Sequence, residues 1–225
     1  MKEKLYVIIF ALVISTVAAI VLTFSNTVLK ERIDRNKQLE VYRSVIRVLG
    51  VEVDENASFE EIEKVFREQT ELISEEKIKA GKITGMDIYK GMDEDGNLIG
   101  YAMRIHGPGF WGPISGFLAV KPDLRTIMGI DLYEHEETPG LGGRIGEEGF
   151  KNQFVGKQIY DDGSDRIEFK LTPPKGRMFD PDLIAKKPIN EVDAITGATE
   201  TSSALQRFMN KGLRDFQGIA EEKGL

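Results

Sequence analysis

Between Leu5 and Phe24 the sequence LYVIIFALVISTVAAIVLTF is almost unbroken apolar, with Ser15, Thr16 and Thr23 its only polar members. Coiled as an α-helix, such a run extends ~30 Å, the thickness of a bilayer's hydrocarbon core, so it predicts a transmembrane helix. A cleaved export signal is the competing reading, but it needs a shorter apolar region and a small-x-small site, which LTFSNT does not supply. Lys2 and Lys4 precede the span, and Lys30, Arg32, Arg35 and Lys37 follow it mixed with Glu31 and Asp34, so charge does not set the orientation. The short tail before the span most simply stays in the cytoplasm, which puts the remainder on the outer face.

The chain has 225 residues, enough for this anchor and one folded domain. Its formal charge of −7 argues against nucleic acid, because phosphate binding needs a basic footprint. The absence of cysteine excludes disulfides, thiolate-held iron–sulfur clusters and Cys-ligated zinc in this chain. His106 and His135 offer too few ligands for haem or copper. Any electron chemistry must then come from an organic cofactor. DEDGN, from Asp93, lacks the calcium-loop pattern, with Leu98 at the sixth position and Arg104 at the twelfth. Glu134, His135, Glu136 and Glu137 read as a solvated strand end rather than a metal site, so no metal is expected.

Three segments follow from the pattern: an anchor over 1–25, a helical stalk with an amphipathic helix over 26–80, and a domain over 81–225. From Asn26 to Leu49 apolar residues recur at helical spacing until Gly50 stops them. Ser58 and Glu61 form a capping pair for a second helix that places Ile62, Val65, Phe66, Gln69, Leu72 and Ile73 on one side. After Gly81 short alternating stretches are punctuated by turns at Asp95-Gly96 and Lys121-Pro122-Asp123. A short helix near Glu147 to Phe154, a strand around RIEFKLTPP and a final helix from about Thr201 complete the chain. Strands and helices do not alternate regularly, which predicts an α+β fold with a mainly antiparallel sheet and flanking helices.

Three motifs carry chemistry. The last helix has an apolar stripe of Ala204, Leu205, Phe208, Met209, Gly212, Leu213, Phe216 and Ile219. It begins in DAITGATETSS, where Thr199, Thr201 and Ser202 read simply as helix caps. A sharper reading is a phosphate seat: Gly197 allows a tight bend, Ala198 keeps bulk away, and free amides at a positive helix end point outward. A threonine oxygen in such a seat is placed to be esterified by the phosphate. HEETPGLGG is neither a dinucleotide fingerprint, since Ile145 stands where glycine is required, nor a phosphate loop. It offers backbone and an apolar Leu141 to a flat ring. HGPGFWGPISGF carries Trp111, the only tryptophan, as either a core filler beneath a hairpin or a stacking partner for an aromatic ligand.

Together, GFWGPISGFLAVKPDL, YEHEETPGLGG and DAITGATETS behind one N-terminal span resemble the covalent FMN-binding subunits of two related membrane complexes. These are the G subunit of the Rnf complex and the C subunit of the sodium-translocating NADH:quinone reductase. The likeness runs through nearly the whole chain, in the family's motif order. It implies that a flavin transferase joins FMN through its phosphate to the last threonine of Asp-x-x-[Ser/Thr]-Gly-Ala-Thr, which falls on Asp193, Thr196, Gly197, Ala198 and Thr199. Thr196 stands where serine is commoner and keeps the hydroxyl. Thr199 is the implied attachment point, with Thr201 beside it. The resemblance makes Glu137, Thr138, Gly140, Leu141 and Gly142 candidate flavin contacts, with Trp111 on the other side.

It further implies a single-pass inner-membrane protein with its flavin domain on the periplasmic face. Such a protein passes electrons toward a second FMN-carrying membrane subunit, beside a cluster-carrying subunit, in a complex that moves sodium or protons. No catalytic residue for hydride chemistry is implied in this chain alone. The short length favours the Rnf-type ferredoxin:NAD+ oxidoreductase, whereas GFLAVKPDL and PGLGG look like the quinone-reductase member, the alternative. A membrane-anchored FMN-binding sensor or scaffold is a third reading.

Overall fold

The computed structural model describes every residue except 1, 55, 80, 81, 162 and 165, and for 2–4, 78, 79 and 82–84 the backbone alone. The chain divides into two compact units, Met1–Glu40 and Val41–Leu225. This division differs from the boundaries at 25/26 and 80/81 drawn from the sequence pattern.

Helix α1 runs Lys2–Val48. In the first unit its large apolar side chains from Leu5 to Phe24 stand 52–70 % exposed on every side. An unpaired helix that is apolar all round is stable only in an apolar surrounding, and this one is long and apolar enough to cross a membrane.

In the second unit the last turns of α1 bury Tyr42, Val45, Ile46, Val48 and Leu49. Gly50, at φ +73°, turns the chain out of the helix as its position predicts. Helix α2 (Phe59–Gln69) opens with the expected capping box: the Ser58 hydroxyl accepts from the Glu61 amide, and the Glu61 carboxylate accepts from the Ser58 amide at 2.8 Å. It ends sooner than its periodicity predicts. Thr70 is extended (φ −133°, ψ 145°) and begins strand β1 (Thr70–Ser74), so Leu72 and Ile73 are strand residues. Pairing with a sheet neighbour supplies backbone bonds that outweigh helical spacing over one turn.

A small hairpin, β2 (Lys77–Lys79) and β3 (Lys82–Thr84), precedes β4 (Ile88–Met92), β5 (Leu98–Pro108), β6 (Pro113–Val120) and β7 (Ile127–Glu134). The main sheet is antiparallel, in the order β1-β4-β5-β6-β7. The β4–β5 turn closes on the Asp93 carboxylate, which accepts from the Asp95 and Asn97 amides at 3.0 and 2.8 Å. Beyond β7 come a 3-10 turn (Gly142–Gly146), α3 (Glu148–Lys151), a second 3-10 turn (Asn152–Phe154), β8 (Lys170–Thr172), α4 (Pro181–Ile184), β9 (Glu191–Asp193) and α5 (Thr199–Lys223). β8 and β9 form a separate parallel pair. The architecture is the expected α+β fold with flanking helices.

The sheet is covered on both faces, which is why β6 is buried from Ile114 to Val120 rather than alternating. On one face Met103, Ile105 and Leu118 join Leu205, Phe208, Met209, Leu213 and Phe216 of α5. On the other, rings run from the end of α1 across the sheet: Tyr42 stacks on Phe66 at 4.1 Å, and Phe66, Tyr89, Phe117 and Tyr133 follow at 5.3, 5.9 and 6.0 Å. The segment after β7 is pinned by Phe150, Phe154 and Phe169, all fully buried, with Phe154 stacked on Phe169 at 5.3 Å. Phe154→Ala is expected to cost about 3–5 kcal/mol, read from denaturant unfolding of the full chain in detergent.

Candidate functional site

The β5–β6 turn, the loop after β7 and the start of α5 meet at one end of the sheet around a single buried carboxylate. Glu137 is 4 % exposed. Its Oε1 accepts from the amides of Phe110 (2.7 Å) and Trp111 (3.1 Å), and its Oε2 accepts from the Thr201 hydroxyl (2.5 Å). Three of the residues singled out in the sequence, Glu137, Trp111 and Thr201, are therefore joined directly.

The glycines around it are there for space. A Cβ on Gly142 would lie 2.6 Å from both Glu137 Oε2 and Thr201 Oγ1, and one on Gly109 would lie 2.4 Å from Glu137 Oε1. Beyond Glu137 the loop turns back on itself, the Thr138 carbonyl accepting from the amides of Leu141 (3.1 Å) and Gly143 (2.9 Å). Thr138 and Gly140 are exposed, and Leu141 is 46 % exposed. The Leu141 side chain reaches the DAITGAT loop, where a Cβ on Gly197 would sit 3.3 Å from Leu141 Cδ2.

That loop does not cap its helix in the ordinary way. Ala198 is the residue before α5, and no side chain caps the first turn. The Ser202 hydroxyl instead accepts from the Ile195 amide and donates to the Ala198 carbonyl, both at 3.0 Å. The Thr201 hydroxyl is spent on Glu137. The amides of Thr199, Glu200 and Thr201 have no acceptor among the described residues. Thr196, Gly197 and Thr199 are exposed, while Ala198 is buried at 8 %. Bare amides at the positive end of a 25-residue helix, beside an exposed hydroxyl, make a seat for an anion.

The simple capping account of Thr199 and Thr201 therefore does not describe this helix start. The core-filler account of Trp111 does not hold either, since Trp111 is 66 % exposed. Phe110, missed in the sequence although adjacent, is 57 % exposed and meets Trp111 edge to face at 5.1 Å. Asp193 is placed differently from the rest: it is 1 % exposed, pairs with Lys187 at 3.1 Å and accepts from the Phe179 amide at 3.1 Å. It holds the loop from inside, with its carboxylate turned away from solvent. Met178, also missed, accepts from the Thr196 amide through its sulfur at 3.5 Å, and Arg144 lies over the Phe179 ring at 5.1 Å. Nothing local in the sequence marks that segment, because the chain returns to the site only in three dimensions. Among the described residues no group of three or more His, Asp or Glu is arranged to hold a metal.

Beneath the seat, Lys187 also donates to Thr172 Oγ1 (2.5 Å) and Glu191 (3.3 Å), locking β9 to β8. Burial alone would raise the Glu191 carboxyl, but the Thr172 hydroxyl and the Lys187 ammonium outweigh it and hold the group below its ordinary range.

Residues 109–214, which include the aromatic turn, the glycine loop and the α5 seat, match the FMN-binding domain family. Residues 109–214 are thus of the FMN-binding class, in a chain with one helix, among the described residues, long and apolar enough to cross a membrane. The C subunit of the Na+-translocating NADH-quinone reductase of Neisseria meningitidis is 38 % identical over 120 residues, 53 % of this chain and 43 % of the relative. The C subunit of Chlamydia pneumoniae is 34 % identical over 154 residues, 66 % of this chain and 47 % of its own. Crystal structures of the Shewanella oneidensis and Parabacteroides distasonis proteins superpose with TM-scores of 0.65 and 0.64 at 23 % and 25 % identity. Each match covers 84 % of this chain, and 98 % and 95 % of those chains. Through this segment the chain is similar to FMN-binding subunits of the kind represented by the C subunit of the Na+-translocating NADH-quinone reductase. It spans less than half the length of the curated relatives it matches. These relatives fit the alternative named from the sequence, and the Rnf reading is the less specific of the two.

Two outcomes are expected. Gly142→Ala forces Glu137 or Thr201 aside and lowers stability by about 1–3 kcal/mol in denaturant unfolding. Because the Glu191 carboxyl is held low in the folded chain, its stabilising contribution is complete above its ordinary value and is lost as pH falls through the lowered one. Glu191→Gln should therefore flatten the fall in melting temperature between about pH 5 and pH 3.

Proposed function

We propose that this chain carries FMN joined through its phosphate to Thr199, and serves as an electron-transfer subunit of an ion-translocating membrane oxidoreductase of the Na+-translocating NADH:quinone reductase type. The observation that carries the reading is the start of α5: an exposed Thr199 hydroxyl on a first turn with unspent amides and no side-chain cap. These residues fit the group. The Thr199 and Glu200 amides and the helix dipole suit a phosphate dianion, favouring it by about 0.3–1 kcal/mol. Phe110, Trp111 and Leu141 offer exposed apolar surface of the kind a flat ring system covers.

Bound there, FMN would supply one-electron carriage to a chain that has no thiolate-held cluster of its own. The chain's own part is retention and placement. Thr199 Oγ1 holds the phosphate in an ester, Gly197 at φ +81° lets the backbone turn close beneath it, and Leu141 closes the loop side. Thr196 and Ala198 shape the rim, while Thr138, Gly140 and Gly142 let the loop fold back. Asp193 and Thr201 act from behind, each already bonded within the protein.

In this reading residues 1–25 anchor the chain, 26–80 lead from the membrane, and 81–225 carry the flavin on the outer, periplasmic face. A flavin transferase loads it. Its electron partners are a second FMN-carrying membrane subunit and a cluster-carrying subunit, and the complex moves sodium. The test is co-expression with a flavin transferase, followed by denaturing electrophoresis and mass spectrometry of the Thr199 peptide. The parent chain gives a fluorescent band and a peptide heavier by FMN less one water, as a phosphoester requires. Thr199→Ala abolishes both, and Thr201→Val keeps the added mass on Thr199. An unmodified Thr199 in the parent, with an active transferase, overturns the reading.

A further inference from the structure

The flavin reading needs two things in fixed relation: the α5 turn that holds the phosphate and the exposed aromatic turn that faces a ring. Among the described residues one side chain alone hydrogen-bonds both. Glu137 Oε1 takes the amides of Phe110 and Trp111, and Oε2 takes Thr201, two residues beyond Thr199 on the same helical turn. Gly109 and Gly142 flank the carboxylate so closely that a Cβ on either would lie 2.4 or 2.6 Å from one of its oxygens. It has little surface left for a ligand, being 4 % exposed with both oxygens engaged. The turn it grips has little else to hold it: Phe110 and Trp111 are more than half exposed, and the turn's own backbone closure is the Gly109 amide on the Gly112 carbonyl at 2.8 Å.

We propose that Glu137 is the positioning residue of the flavin site: it clamps the Phe110–Trp111 turn to the helix start that bears Thr199, so the ring-binding side is in place before any phosphate is attached. It acts through the turn and does not itself meet the ring. The proposal rests on the FMN reading for its purpose, but the clamp is a property of the chain without flavin. The chemistry orders the variants. Glutamine keeps an acceptor for the two amides, and the Thr201 hydroxyl can rotate to accept from its NH2 group. Aspartate is one methylene too short to reach both sides, and alanine reaches neither.

Trp111, the only tryptophan, reports on the turn by itself. The experiment is time-resolved fluorescence anisotropy of the full chain in detergent, made without a flavin transferase, with folding checked by circular dichroism. The parent and Glu137→Gln chains should depolarise slowly, with the molecule, whereas Glu137→Ala and Glu137→Asp should show roughly a twofold larger fast, sub-nanosecond component. A merely supportive carboxylate would change the melting temperature without singling out Trp111. A folded Glu137→Ala chain with the parent's anisotropy overturns the clamp. If that variant does not fold, Glu137→Asp and Thr201→Val decide: a larger fast component in both supports the proposal, and parent-like decay in both overturns it. Mass spectrometry of Thr199 after co-expression with the transferase is read separately, so failure of the FMN reading leaves an unmodified Thr199 beside an unchanged anisotropy result.

Discussion

A carboxylate taken out of water is costly unless its charge is met by donors, and Glu137 meets that condition with three. Charge-assisted bonds of this kind contribute about 1.5–3 kcal/mol each, and an unpaired partner left buried would cost more than the bond contributes. The geometry of the whole end of the sheet follows from that requirement. The β5–β6 turn must present two amides, α5 must present a hydroxyl on its inner side at Thr201, and the loop after β7 must pass so close that Gly142 has no room for a side chain. Loop, turn and helix are held to one another by a group that solvent does not reach.

Helix α5 does two kinds of work along its length. From Leu205 to Phe216 its apolar stripe packs on Met103 and Ile105 and forms the larger part of one core layer. Its first turn makes no use of the polar residues that usually quiet a helix start. Ser202 is turned back to the DAITGAT loop and Thr201 inward to Glu137, which leaves the foremost amides and the Thr199 hydroxyl exposed. Rigid packing behind and unsatisfied donors in front are what a site for a tethered anion requires. The Lys187 ammonium, shared by Thr172, Glu191 and Asp193, braces the loop that leads into that turn.

Much of this was legible in the chain because it is local. The all-apolar run from Leu5, the Ser58–Glu61 capping box, the stop at Gly50 and the Asp95-Gly96 hairpin each depend on residues a few positions apart. The three motifs of the site were visible as motifs for the same reason. Leu72 and Ile73 were misread because helical spacing persists into a segment whose backbone is claimed by β4, a partner some twenty residues ahead. Met178 and Phe179 could not be read at all, since their roles exist only where the chain comes back to Thr196 and Asp193.

The sequence by itself determined that one helix must seek an apolar surrounding, that no thiolate chemistry is available, and that a threonine-bearing glycine turn begins the last amphipathic helix. Those are consequences of residue type and short-range spacing. Only the tertiary structure decided which threonine faces outward and which inward, that Trp111 stands exposed rather than filling the core, and that Asp193 is spent on Lys187. Each of these is settled by what lies across the fold, because a hydroxyl, an indole or a carboxylate takes the nearest partner in space and the sequence does not state which partner that is.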